Sequence, residues 1–325
     1  MVTKKPEQLD LFAAPPPAPP RPDERLVELA SRLPSNLRLG TSSWTFPGWA
    51  GLVYHRRYPN NATFLRESLG EYARYPLFRT VCVDRSHYAP IAESELRDYA
   101  ALLPEGFACV TKVWSEISTP TVRGENGTPL PSARFLDLEL FEREVLGPSR
   151  RAFAAHQGPF VFQVPPVPAG ARAFADALER FLARAPTELT PGRPITYAFE
   201  LRDKKLLTRR YVEVLRAHGA AHVFNWWERM PGLAEQLGRT GGLVGPLVVR
   251  LLIPPGRRYA DLKDAWAPFD RLVMPNAEMR REVVQLVRIA ESVELPAWLI
   301  ANNKAEGSSP LTLRAIAELV AHPAR

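Results

Sequence analysis

The stretch "LRLGTSSWTFPGWAG", Leu37 to Gly51, begins as a short apolar run and stops abruptly in small hydroxyl residues, Thr41, Ser42 and Ser43. Three large rings, Trp44, Phe46 and Trp49, come next among Gly and Pro. A short apolar run ended by turn-forming residues reads as a buried strand, and the ring-bearing segment after it reads as a loop. The pattern recurs along the chain. Strand-like runs fall at Leu37–Thr41, Arg79–Val83, Phe107–Lys112, Phe160–Val164, Ile195–Glu200, Ala221–Asn225, Leu247–Leu252 and Trp298–Ala301. Between most of them lie helical patterns, at Phe64–Tyr75, Glu93–Leu103, Ala171–Ala185 and, last, Thr312–His322. Strand-helix alternation predicts parallel strands joined by right-handed crossovers. Eight units in roughly 290 residues suit an α/β fold of the (β/α)8, TIM-like barrel type better than a doubly wound sheet. No GxGxxG or Walker loop follows any strand, which disfavours a dinucleotide or P-loop fold. The segment 114–133, rich in Pro, Gly, Ser and Thr, reads as an extended loop after the third strand.

The totals agree with one globular barrel. The chain has 325 residues, 46% hydrophobic and 24% charged. No apolar run approaches the roughly 20 residues needed to span a bilayer, and no apolar stretch follows the basic start, so a cytoplasmic location without membrane attachment is expected. Cys82 and Cys109, the only cysteines, sit in strand-like runs and read as buried thiols. The net charge of +7 suits anionic partners, nucleic acid or phosphorylated metabolites.

Residues 1–24 read as a disordered tail ahead of a single barrel domain over 35–325. "AAPPPAPPRP", Ala13 to Pro22, predicts an extended polyproline linker. Before it stands "QLDLF": Gln8, Leu9, Asp10, Leu11 and Phe12. Exposed hydrophobes on such a tether suit a short linear motif docking in a groove, although a neutral tail or a turn packed back on the domain fits equally.

Barrel chemistry sits at the C-terminal strand ends. In order, these carry Thr41, Ser42 and Trp44; Asp84, His87 and Tyr88; Lys112; Gln163; Glu200 and Arg202; Asn225; Arg250; and Asn302 with Asn303. The set is rich in donors and poor in the converging His, Asp and Glu that a metal wants, so no metal site and no particular cofactor are expected. Lys112 and Arg250 could hold phosphate or carboxylate. Glu200 is the best candidate general acid or base, and His87 a candidate proton carrier. Glu200 and Arg202 could equally pair as structural charges, and Asn302 could simply cap a turn. Near Gly307, "GSSP" can present backbone N–H groups to an anion, or be a plain cap formed by Ser308 or Ser309.

In their order, "GTSSWTFPGWAG", "TVCVDRSHYAP", "GFACVTKVWSEIS", "GPFVFQVPP", "YAFELRD" and "ANNKAEGSSPLT" resemble the motifs of the YecE-like family, domain of unknown function 72. The resemblance spans roughly Leu37 to Val320. It implies a TIM-like barrel and no particular reaction. Thr111, Lys112, Gln163, Glu200, Arg202, Asn302, Asn303 and Gly307 match the family pattern. Cys82 stands where the pattern has Glu, Ala89 where it has Arg, and Leu252 where it has His. The departures at Cys82 and Leu252 weaken any proton-transfer or metal reading that relied on those positions, and they leave the Lys-Glu-Arg-Asn set intact. The tail has its own resemblance, since "QLDLF" is similar to the pentapeptide by which bacterial repair and replication proteins dock on the DNA sliding clamp.

Three functions fit these readings. One is a barrel that binds an anionic or sugar-like small molecule at Lys112, Glu200, Arg202, Arg250 and Asn302, with hydrolase, lyase or isomerase chemistry open. A second is a DNA-associated protein recruited through its tail, with tryptophans stacking bases. A third is a non-catalytic barrel adaptor.

Overall fold

The computed structural model describes residues 23–322 apart from 255 and 258. Eight parallel strands form one curved sheet: β1 (Leu37–Thr41), β2 (Cys82–Val83), β3 (Cys109–Lys112), β4 (Gln157–Val164), β5 (Tyr197–Leu201), β6 (Ala221–Trp226), β7 (Leu247–Leu251) and β8 (Ala297–Ala301). Their order round the sheet is β1, β8, β7, β6, β5, β4, β3, β2. This is the expected (β/α)8 barrel, with helices on its outside. Among the described residues no helix is long and apolar enough to cross a membrane.

Period-two alternation sorts each strand between two cores. Cys82, Val110, Val161, Ala198, Val223, Val248, Trp298 and Ile300 cluster in the interior. Their strand neighbours, such as Leu39, Phe162, Phe199, Val249 and Leu299, pack outward among the helices. Helix Gly170–Leu182 shows the matching logic, burying Phe174, Leu178 and Phe181 on one stripe.

The second strand is shorter than its apolar run. Only Cys82 and Val83 join the ladder, against Val110 and Thr111 of β3. The residues before them close the barrel instead. Arg79 N–H donates to the Leu39 carbonyl at 3.0 Å, and a Cβ at Gly40 would stand 2.0 Å from the Thr80 carbonyl oxygen. At the upper end the phenol of Tyr72, on helix Asn61–Tyr72, takes over. Thr41 N–H donates to it at 2.9 Å, the two hydroxyls lie 2.8 Å apart, and Tyr72 O–H donates to the Thr80 carbonyl at 3.2 Å. A side chain thus stands in the seam between β1 and β2 where a ladder would continue.

The segment after β3 is more structured than its composition suggests. It forms a short helix, Ser115–Ser118, and an antiparallel hairpin of Thr121–Arg123 with Pro129–Pro131. Residues 138–152 then run on as one helical stretch with a wide turn at Glu142–Leu146, just before Pro148. Proline lacks the N–H that a regular helix would use there.

The rings after β1 hold neighbouring loops together. Trp49 is fully buried, 5.0 Å from the Phe46 ring and stacked at 6.3 Å on Tyr54. Phe46 meets Phe269 edge-on at 5.7 Å, and Gly48 lies against the backbone of Pro268. The loop after β1 is therefore fastened to the segment after β7.

Candidate functional site

The inward parity of each strand continues past its apolar residues into a charged layer. On β5, Ala198 is followed by Glu200 and then Arg202. On β7, Val248 is followed by Arg250, and on β3, Val110 by Lys112. Arg250 is fully enclosed and ion-paired through Nη1 to Glu200 Oε2, itself fully buried. Arg202 Nη2 lies 2.5 Å from Glu200 Oε1 and donates to Gln163 Oε1 at 2.8 Å. The Arg202 guanidinium sits 4.2 Å from the centre of the Trp227 ring. Asp84, about a third exposed, lies 3.1 Å from Lys112 Nζ and 3.6 Å from Arg250 Nη2. One connected group thus links the ends of β2, β3, β4, β5 and β7.

Asn225 on β6 lies between the ends of β5 and β7, its Nδ2 donating to the Leu201 carbonyl at 2.7 Å. Behind it Gln236 donates to the carbonyls of Asn225 and Pro231 and accepts from Asn225 N–H. Gln236 carries no signal in the sequence, because it looks like any polar residue of helix Leu233–Thr240.

The electrostatics are lopsided. Among the described residues Lys112, Arg202 and Arg250 face two carboxylates, Asp84 and Glu200. Burial opposes charge on Glu200, but Arg202, Arg250 and Lys112 outweigh it and hold its pKa down at about 2. Burial pulls the Lys112 ammonium below its usual value, with Asp84 opposing and Arg250 adding to the fall. Burial and then Lys112 push His87 down to about 4, so its ring is neutral at pH 7. Among the described residues the Nε atoms of Arg202 and Arg250 and Oδ1 of Asn225 are buried without a hydrogen-bond partner. Such a layer has the donors to hold an oxyanion. Glu200, ionised throughout the neutral range, is suited to orienting the arginines and not to donating a proton.

The other expected residues are placed differently. Thr41 donates through Oγ1 to the Ser43 carbonyl and meets Tyr72. Ser42 is buried, its N–H donating to Ala301. The Trp44 ring lies in the core, edge-on to Tyr99 at 5.4 Å. His87 Nδ1 lies 3.4 Å from the Val113 carbonyl, and Tyr88 is mostly exposed, edge-on to His87. Asn302 accepts from Lys304 N–H, capping the turn after β8. Asn303 Oδ1 accepts from both N–H and O–H of Ser309, so the cap of helix Ser309–Ala321 comes from Asn303 and not from Ser308 or its neighbour. Gly307 N–H is taken by the Asn303 carbonyl, and the glycine's φ of 116° lets it pass the backbone of Arg271. The "GSSP" turn is therefore occupied by its own chain. Gln8 to Phe12 lie outside the described residues.

The pattern of the family described as "Protein of unknown function DUF72" matches residues 38–325. The chain belongs to this family. A DUF72 family protein from Enterococcus faecalis V583 superposes with a TM-score of 0.61 at 16% identity, covering 89% of this chain and 97% of that one. A DUF72 family protein from Thermotoga maritima MSB8 gives a TM-score of 0.57 at 18% identity, covering 87% and 99%. At such identities the likeness speaks for the DUF72 barrel alone. No curated protein matches the chain. The two DUF72 structures share almost their whole length with the barrel described here, as the sequence resemblance implies.

Proposed function

We propose that this DUF72 barrel binds a small anionic ligand, carrying a carboxylate or phosphate, at the C-terminal ends of its strands. One observation supports the reading: three basic side chains converge there against two carboxylates, and both guanidiniums keep buried Nε–H groups without a partner among the described residues. Burial strengthens the attraction of such a layer for an oxyanion. Lys112 is the residue able to exchange a proton with the ligand, so any hydrolase, lyase or isomerase step at this site would run through it. His87, held neutral by burial and by the charge of Lys112, is the relay we assign to it. Trp227 beneath Arg202 would form an apolar wall suited to a sugar or a ring. The test is a thermal-shift screen of the full chain against phosphorylated metabolites, sugar acids and nucleotides. Stabilisation by a member of this panel that is lost in Lys112→Met supports the site. Stabilisation that survives Lys112→Met, or no stabilisation by any member, removes it.

We read residues 35–325 as the barrel domain, onto whose core helix Glu24–Ser31 packs Leu26 and Leu29, and the chain before Asp23 as its tether. The sequence "QLDLF" supports a separate proposal, that Gln8 to Phe12 bring the protein to a bacterial sliding clamp and so to DNA. Pull-down of the clamp by the full chain, lost on Leu11→Ala with Phe12→Ala, supports it. Absence of capture, or capture unaffected by the substitutions, refutes it.

A further inference from the structure

A recess opens between the loop after β1 and the segment after β7. Its volume is about 520 Å³, within the range of small-molecule sites, and neither Lys112, Glu200, Arg202 nor Arg250 lines it. Pro47 and Pro268 line it from the two segments that Gly48 brings into backbone contact. Three packed rings line it too, with Phe64 edge-on to Tyr54 at 5.3 Å and to Tyr58 at 5.1 Å. Both phenols are already engaged. Tyr54 O–H donates to the Trp44 carbonyl, and Tyr58 O–H donates to Glu71 Oε2 at 2.6 Å. The charged groups of the lining are Arg56, Arg57 and Asp270. The Arg56 guanidinium lies 4.6 Å from the centre of the Tyr58 ring, and its Nη2 donates to Glu67 Oε2 at 2.7 Å. Its Nε is buried without a partner among the described residues. Arg57 and Asp270 are exposed, and among the described residues neither has an ion pair.

Packing alone explains the three rings, and Glu67 balances Arg56. It does not explain why a molecule-sized volume stays open between those rings and two guanidinium groups. The lining divides the chemistry of an occupant into three parts. Proline rings and aromatic edges suit a flat ring. The spare Nε–H of Arg56 and the unpaired fork of Arg57 offer charge-assisted donors to an oxyanion, with the geometry that phosphate prefers. Asp270, when ionised, only accepts hydrogen bonds, so a molecule that brings hydroxyl groups beside its anion fits better than a bare anion.

We propose that this recess binds a nucleoside monophosphate. Its base rests among Pro47, Pro268 and the ring edges, its sugar hydroxyls donate to Asp270, and its phosphate is held by Arg56 and Arg57. The site shares no residue with the strand-end layer, so the two readings stand or fall separately.

Equilibrium dialysis of the full chain against radiolabelled adenosine monophosphate, at constant ionic strength, tests the proposal. Saturable binding is expected, and Arg57→Glu is expected to weaken it at least about tenfold. Arg57 is exposed, so the variant should keep the wild-type melting curve, which shows that the loss is not one of folding. Lys112→Met should leave the binding unchanged. Unlabelled adenosine and inorganic phosphate, each carrying one part of the molecule, should compete at least about tenfold less well than the nucleotide. Absence of saturable binding, or binding equal in wild type and Arg57→Glu, overturns the proposal. Binding lost in Lys112→Met and kept in Arg57→Glu also overturns it, and places the nucleotide at the strand ends. Binding lost in Arg57→Glu and kept in Lys112→Met supports the recess whatever the strand ends hold. Adenosine or phosphate competing as well as the nucleotide overturns the assignment of the ligand.

Discussion

Arg250 on β7 is ion-paired to Glu200 on β5 across the intervening β6, and neither side chain reaches solvent. A buried pair of this kind is poor evidence of stabilisation, because desolvating both charges costs about as much as their attraction returns. Its effect is to hold a guanidinium at a defined place over the barrel interior. Removing one partner is a different matter, since the other charge is then buried alone.

Glu200→Gln is therefore expected to cost about 3–5 kcal/mol in chemical denaturation at pH 7. Adding Arg250→Met should recover much of that loss. The pH dependence has a definite sign. The folded pKa of Glu200 is depressed, so its stabilising effect is complete above the ordinary Glu value near 4.3 and lost as pH falls towards about 2. The denaturation midpoint of the wild type should fall across this window, and that of Glu200→Gln less steeply.

Lys112→Met is expected to leave stability within about 1 kcal/mol of the wild type, because the buried ammonium already has a lowered pKa and its partner Asp84 remains partly solvated. The same substitution should remove the thermal response to anionic ligands. A large loss of stability with the ligand response intact would reverse the assignment, making Lys112 structural.

The seam gives a third expectation. Tyr72→Phe strips the hydroxyl that serves Thr41 N–H and the Thr80 carbonyl, which should cost about 1–3 kcal/mol. Hydrogen exchange at the Thr41 amide should quicken well beyond that at Leu251, which is held by ordinary strand pairing. Gly40→Ala should be at least as harmful, since its methyl would overlap the Thr80 backbone.

Two histidines set a milder acid window. Burial lowers His222, fully enclosed beside Tyr211 and Gln236, to about 4, and burial first and Lys112 next do the same for His87. A depressed histidine pKa means that stability is full above the unfolded value near 6.5 and declines as pH falls towards 4. Denaturation curves at pH 7, 5.5 and 4 should show this decline, and His87→Asn should make it shallower.

The barrel was legible because its strands announce themselves one by one. Runs such as "FVFQV" are apolar on both faces, as strands buried between an interior and a helical layer must be. The charged layer was legible for a related reason. Lys112, Glu200 and Arg250 interrupt such runs, and a charge inside an apolar strand has to find a partner in space. What the sequence could not convey was which polar residues turn inward. Trp44 and Asn303 look as available as Trp227 and Asn225, yet the former fill the core and cap a helix. The seam was hidden as well: "RTVCV" reads as a full strand, and nothing local shows that Gly40 brings Thr80 in so close that a distant tyrosine finishes the ring.

The seam also decides how the cylinder is held shut. Elsewhere two strands can part only by breaking a row of backbone bonds. Between β1 and β2 the closure is shared between the Arg79–Leu39 bond and a phenol mounted on a helix outside the barrel. The seating of helix Asn61–Tyr72 therefore fixes the wall along one longitudinal line, whereas the other strand pairs are held by their own ladders. The continuity of the wall beside the buried thiol of Cys82 thus depends on a residue that belongs to no strand.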